Sequence, residues 1–408
     1  MTRRTRATAA VGSLAVALSM ALAPVATASP AASAEPFMAS ALDPLPNGCA
    51  TTYAPGVNRC QVYSPSMGRN IDVDVLPADR PGAPVVYVLD GMFTFNNENG
   101  WLRPNEHGGN LEAVHDGSVN IVAPVAPSAT FFADWNGLLL GKPAKWETFM
   151  TQEVPEFIKT TFNADTSRSG IMGMSMGGFA SANLATRHPD LYSAVYALSG
   201  FYDLGDPFAR AAVEIGPKRE GIDSTQMWGR FIENREQWLA NSPATNAADM
   251  TVPMRLFTAN GGRALDAPSG DPAAVAAAWL QGSPVEQGTS VMTRQYYNKL
   301  LLAGQGDHVN LVTAPLGAHE WDTWTKDVKN GGWSWLTTTL NNLPSGYVAP
   351  QPEPQPEPEP KPQPEPAPTP AEKMVEKVTP ANPAGSEAAD PLEGLARIFD
   401  PLRTWLGH

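Results

Sequence analysis

Short apolar runs and longer amphipathic stretches alternate through the middle of the chain. Residues 85–89, 119–125, 169–173, 194–199 and 254–259 are almost continuously apolar or small, and each has the length of a strand. A strand buried on both faces reads this way, whereas a strand with one wet face alternates. Between these runs, residues 147–162 and 177–187 carry helical spacing. The order predicts an α/β chain with a mostly parallel central sheet and helices on both faces.

The ends depart from that pattern. Arg3, Arg4 and Arg6 precede an apolar run from Val11 to Val25, no acid occurs before Glu35, and Ala-x-Ala sites follow. Residues 1–34 are therefore expected to be an export signal, cleaved after Ala28 or Ala34, because the run falls short of a membrane span. A short linker over 35–48 would lead into the body at 49–347. Beyond it, eleven prolines fall between Pro350 and Pro370, alternating mostly with Gln and Glu. Residues 348–390 thus read as a Pro/Glu-rich tail without a packed core, extended as polyproline II. In the last segment, 391–408, Leu392, Leu395, Ile398, Phe399, Leu402 and Trp405 have helix-like intervals, although Pro401 would kink any helix there.

Composition narrows the function. The 408 residues are 42% hydrophobic with 11 tryptophans, enough to bury a core. Acids outnumber bases 41 to 28, a net charge of −13 that loss of residues 1–34 would take to −16. A nucleic-acid partner is not expected of such a chain. Cys49 and Cys60 are the only cysteines. In an exported chain they are expected to pair as a disulfide, and they cannot supply a four-cysteine zinc site. No metal or cofactor is expected.

The sharpest chemical signal is Gly173-Met174-Ser175-Met176-Gly177, preceded by an apolar run and followed by a helical stretch. Gly-x-Ser-x-Gly between strand and helix is a nucleophile elbow, which exposes the serine oxygen at a tight turn. Helix N–H groups just beyond it can hold a developing oxyanion. Ser199-Gly200 ends the next strand without flanking glycines and reads as packing.

A serine nucleophile needs a base and an orienting acid, in the chain order serine, acid, histidine for such a sheet. His107 and His115 precede the serine, His188 follows too closely, and His408 is in the tail. His319 lies in a small-residue loop after the last apolar run and is the expected base, whereas His308 precedes that run. For the acid, Asp266 follows the strand at 254–259, and Glu286 begins what reads as a helix running through Tyr297. The pattern leaves both open, with Asp266 slightly ahead.

Several segments together resemble the secreted mycolyltransferases of mycolic-acid-bearing bacteria, the fibronectin-binding antigen group. They are Tyr63-Ser64-Pro65-Ser66-Met67-Gly68-Arg69-Asn70-Ile71, Leu89-Asp90-Gly91-Met92, Asn99-Gly100-Trp101, Asp134-Trp135 and Lys145-Trp146-Glu147-Thr148-Phe149. The elbow, Leu198-Ser199-Gly200-Phe201, Met227-Trp228-Gly229 and His319-Glu320-Trp321-Asp322-Thr323-Trp324 complete the series. Their order spans about residues 60–340.

The resemblance implies an α/β-hydrolase fold with Ser175 as nucleophile, His319 as base and Glu286, 33 residues before it, as the acid. It also implies oxyanion donors at the backbone N–H groups of Met92 and Met176, sugar contacts from Asp90, and Trp321 at the same mouth. The implied reaction moves a mycoloyl group from trehalose monomycolate to a sugar hydroxyl, of trehalose monomycolate or of cell-wall arabinogalactan. The implied setting is secretion and peripheral association with the cell envelope. Two alternatives stand beside it: a secreted carboxylesterase with the same triad, and a non-catalytic envelope- or matrix-binding protein on the same fold. The chain departs from the group in Phe93, where an arginine is common. It departs again in Gly137-Leu138-Leu139-Leu140-Gly141, where several relatives carry a cysteine pair.

Overall fold

The computed structural model of the chain describes residues 48–93, 97–104, 108–262 and 272–350. The expected export segment 1–34, most of the linker, His107, Asp266 and the tail beyond residue 350 lie outside the described residues.

Eleven strands are described: β1 Cys49–Thr51, β2 Asn58–Ser64, β3 Arg69–Leu76, β4 Val85–Leu89, β5 Asn120–Pro124, β6 Asp134–Leu139, β7 Lys142–Lys145, β8 Ser169–Met174, β9 Ala194–Leu198, β10 Met254–Ala259 and β11 Val309–Ala314. The α-helices are α1 Trp146–Thr148, α2 Val154–Phe162, α3 Met176–Arg187, α4 Pro207–Ile215, α5 Thr225–Trp228, α6 Arg235–Ala240, α7 Pro272–Leu302, α8 Trp321–Asp327 and α9 Trp333–Asn341.

Nine strands form one sheet in the order β1-β2-β3-β5-β4-β8-β9-β10-β11. From β5 to β11 every neighbouring pair is parallel. The first three strands add an antiparallel edge. The five apolar runs become β4, β5, β8, β9 and β10, with ends shifted by at most a residue or so. Their continuity has the expected cause: Val85, Tyr87 and Leu89 join one buried cluster with Phe179 and Ala182 of α3. Val86 and Val88 join another with Leu336 and Leu340 of α9. Each central strand therefore has a helix layer on both faces.

Two elements differ from the sequence pattern. The stretch at 147–162 is not one regular helix, because a π-helical segment, Phe149–Glu153, separates α1 from α2. Glu286 does not begin a helix; it sits within α7, which is 31 residues long and contains Pro284. Cys49 and Cys60 are bonded to each other and are cross-strand partners in the β1–β2 pair. No helix among the described residues is long and apolar enough to cross a membrane.

Candidate active site

Ser175 occupies the turn between β8 and α3 with φ 56° and ψ −118°. An L-residue avoids that region, and the conformation is held because both flanking elements are buried and the Ser175 N–H donates to the Leu198 carbonyl at 2.9 Å. Gly173 and Gly177 face one another across the elbow, where a β-carbon on Gly173 would stand 2.5 Å from the Gly177 backbone. The result is a partly exposed serine at the carboxyl end of a central parallel strand, with Met176 as the first residue of α3. The Met176 N–H has no carbonyl partner within its own helix.

The end of β4 adjoins this turn. A β-carbon on Gly91 would be 3.8 Å from the Ser175 β-carbon. Met92 follows, its carbonyl accepting from the Ala129 N–H at 2.9 Å. Asp90 is buried, and its Oδ2 accepts from the Gly100 N–H at 2.8 Å. Burial pushes the Asp90 carboxyl up from 3.8 to about 7, against the smaller opposing effects of the Gly100 hydrogen bond and the Arg103 charge. Gly100 in turn lies against the Trp321 ring, so closely that a β-carbon there would be 2.5 Å from it. Trp321 packs edge-on against Trp101, centroid to centroid 5.2 Å. Asp90, Gly100 and Trp321 thus line one place beside the elbow.

His319 lies in the loop between β11 and α8. Its Nδ1 is 2.8 Å from Glu286 Oε2. Its backbone N–H donates to the Gly282 carbonyl at 3.1 Å, which ties the loop to α7 two residues before Pro284. Glu286 is fully buried. Its Oε1 accepts from the Ala259 N–H at 2.7 Å, the Ser199 hydroxyl at 2.8 Å and the Thr258 hydroxyl at 3.0 Å. A carboxylate can only accept, so the proton of the imidazole is fixed on Nδ1 and the lone pair on Nε2. The chemistry available is therefore a base held by a buried acid, at the same sheet edge as a strained serine.

The structure brings Glu286 and His319 together. His308 stands at the opposite end of β11, in a short 3-10 turn, bonded through Nε2 to the Met250 carbonyl at 2.9 Å. His188 caps α3 and meets Glu147 at 2.7 Å, away from the elbow. Sequence reasoning missed Ser199, which read as packing and instead contacts Glu286. Its local sequence lacks the glycine frame of an elbow, and the signal that included it was the segment Leu198-Ser199-Gly200-Phe201 of the family resemblance. Among the described residues no group of three or more His, Cys, Asp or Glu side chains is arranged to hold a metal ion.

Comparison with known proteins agrees with this fold. The family model described as putative esterase matches residues 64–331, more than half of the chain. The diacylglycerol acyltransferase/mycolyltransferase Ag85B of Mycolicibacterium smegmatis is 27% identical over 279 residues, 67% of this chain and 82% of that protein. The protein of the same name from Mycobacterium leprae is 30% identical over 218 residues, 51% of this chain and 65% of its own. The crystal structure of MPT51 (FbpC1) from Mycobacterium tuberculosis superposes with a TM-score of 0.57 at 22% identity, covering 70% of this chain and 98% of that one. At that identity the likeness establishes the fold.

Proposed function

The chain belongs to the putative esterase family, and from that premise we propose that it transfers acyl groups through a serine acyl-enzyme formed on Ser175. The observation that carries this reading is the 2.8 Å bond between His319 Nδ1 and the buried Glu286 carboxylate. It leaves Nε2 as the free base on the sheet edge that also carries the serine elbow.

In the proposed reaction His319 Nε2 takes the Ser175 hydroxyl proton as the serine oxygen attacks the ester carbon. The carbonyl electrons move onto oxygen, held by the Met92 and Met176 N–H groups. Collapse of the tetrahedral species breaks the ester bond, and the leaving sugar oxygen takes the proton from His319. A second sugar hydroxyl then loses its proton to His319 and attacks the acyl-enzyme, and the bond to Ser175 breaks as the serine oxygen takes that proton back from His319. Glu286 orients the imidazole and stabilises its charged form throughout.

The substrate class rests on the relatives, which are named for acyl and mycolyl transfer at 27% and 30% identity. Trehalose monomycolate is the proposed donor, and a sugar hydroxyl of trehalose monomycolate or of cell-wall arabinogalactan the acceptor. Asp90 and Trp321 would take the sugar, since a carboxyl near neutrality can both donate to and accept from hydroxyls. The setting proposed is outside the cytoplasm at the cell envelope, supported by the leading segment of the sequence and by the Cys49–Cys60 bond.

The test is mass spectrometry of the protein after incubation with trehalose monomycolate, native against Ser175→Ala. An adduct on Ser175 that added trehalose discharges into dimycolate is the expected result. Discharge by water alone would make the protein an esterase. Absence of any adduct, with the fold intact, would overturn the reading.

A further inference from the structure

We infer that Ser199 and Trp324 are positioning residues that lock the acid and the base of the site into one geometry, an inference that rests on the triad proposed above. The indole Nε1–H of Trp324 donates to the Ser199 hydroxyl oxygen at 3.0 Å. The same hydroxyl donates to Glu286 Oε1 at 2.8 Å. An indole N–H can only donate and a carboxylate can only accept, so the direction of the chain is fixed. Ser199 must receive from Trp324, and its own proton must point at Glu286.

Trp324 also touches the base directly. Its ring stands edge-on to the His319 ring, 4.9 Å between centroids and 89° between planes. One side chain therefore packs against the imidazole and, through Ser199, fixes the oxygen of Glu286 that His319 does not use. All three partners behind His319 are buried, Ser199 and Glu286 completely and Trp324 with 4% of its surface exposed. In such surroundings hydrogen bonds hold their geometry without competition from water.

The residues come from four places in the chain: Ser199 from the end of β9, Glu286 from α7, His319 from the loop after β11, and Trp324 from α8. Ser199 adopts a positive φ of 47°. A serine placed there against its backbone preference agrees with a role for its hydroxyl. Neither side chain is assigned contact with the reacting atoms. Their effect is on how often the imidazole is aimed at Ser175 with its proton on Nδ1.

The test uses the full chain hydrolysing a soluble p-nitrophenyl ester, with Ser199→Ala, Trp324→Phe and the double variant. Trp324→Phe keeps a ring against His319 and removes only the N–H, so it decides the matter should Ser199→Ala fail to fold. Each single variant is expected to lower kcat about ten-fold with little change in KM. The double variant is expected to fall little below either single one, since both cut the same chain. Unchanged kcat in Trp324→Phe, or losses that multiply in the double variant, would overturn the inference. Activity surviving in Ser175→Ala and His319→Gln would instead overturn the triad itself, so the two failures are told apart.

Discussion

Gly177 packs its α-carbon against the carbonyl oxygen of Leu89, so closely that a β-carbon built there would overlap that oxygen and stand 2.6 Å from the carbonyl of Asp90. The helix that follows the serine and the end of β4, where Asp90 follows, are thereby in backbone contact. Gly177→Ala is expected to push α3 from β4 and cost about 3 kcal/mol, as overpacking against an unyielding backbone does. Urea denaturation gives the stability, and labelling of Ser175 by a fluorophosphonate should fall with it. Wild-type stability in this variant would mean that the contact relaxes at little cost.

Gly288 makes the opposite case. It lies in α7, two residues beyond Glu286, and a β-carbon there would meet nothing within 4 Å. Alanine is a better helix former, so Gly288→Ala should stabilise the chain by about 0.5–1 kcal/mol. Thermal denaturation should show a higher midpoint, with ester hydrolysis unchanged because the Glu286 carboxylate keeps all its donors.

Glu286→Gln should separate orientation from charge. The amide keeps nearly the volume of the carboxylate, but its NH2 group, turned toward His319, would demand the other tautomer of the imidazole. A loss of about 10³–10⁴ in kcat is expected, with the fold preserved and KM little altered. Stopped-flow acylation with a p-nitrophenyl ester measures it directly. A loss below ten-fold would leave Glu286 as a structural carboxylate.

Asp90 makes stability depend on pH. Its folded-state value of about 7 lies above the ordinary 3.8. Between those limits the folded chain retains a proton that the unfolded chain has released. Stability should therefore fall as pH rises through that window and level off above it, a loss on the order of 4 kcal/mol. Asp90→Asn, which can still accept from the Gly100 N–H, should remove this component. The difference in melting temperature between the variant and the parent should be small at pH 4 and should favour the variant at pH 8. A difference that does not change with pH would show that Asp90 ionises normally.

Much of the fold was legible in the chain because its signals are local. The run Val85–Leu89 and the run Met254–Ala259 are strands to the residue, since burial on both faces makes such runs mostly apolar along their length. The serine elbow is legible locally too, because its glycine frame lies within five residues, although the Leu198 carbonyl on the neighbouring strand helps to hold the turn at Ser175. His319 could be chosen over His308 from its side of β11, because a parallel strand places its two ends on opposite edges of the sheet.

The acid was a different kind of question. Asp266 and Glu286 were nearly equal by pattern, and family resemblance, not periodicity, favoured Glu286. In the structure Glu286 is buried in mid-helix beside Pro284, a position that helical spacing assigns to no particular partner. Its pairing with His319 spans 33 residues and depends on α7 crossing the end of β10. The bonds among Ser199, Trp324 and Glu286 span still greater separations, up to 125 residues. The sequence determined the strands, the turn and the kinds of residue on offer, because a few neighbouring side chains suffice for each. Only the tertiary structure decided which acid faces which base and what holds them, because those contacts exist only when separate elements pack.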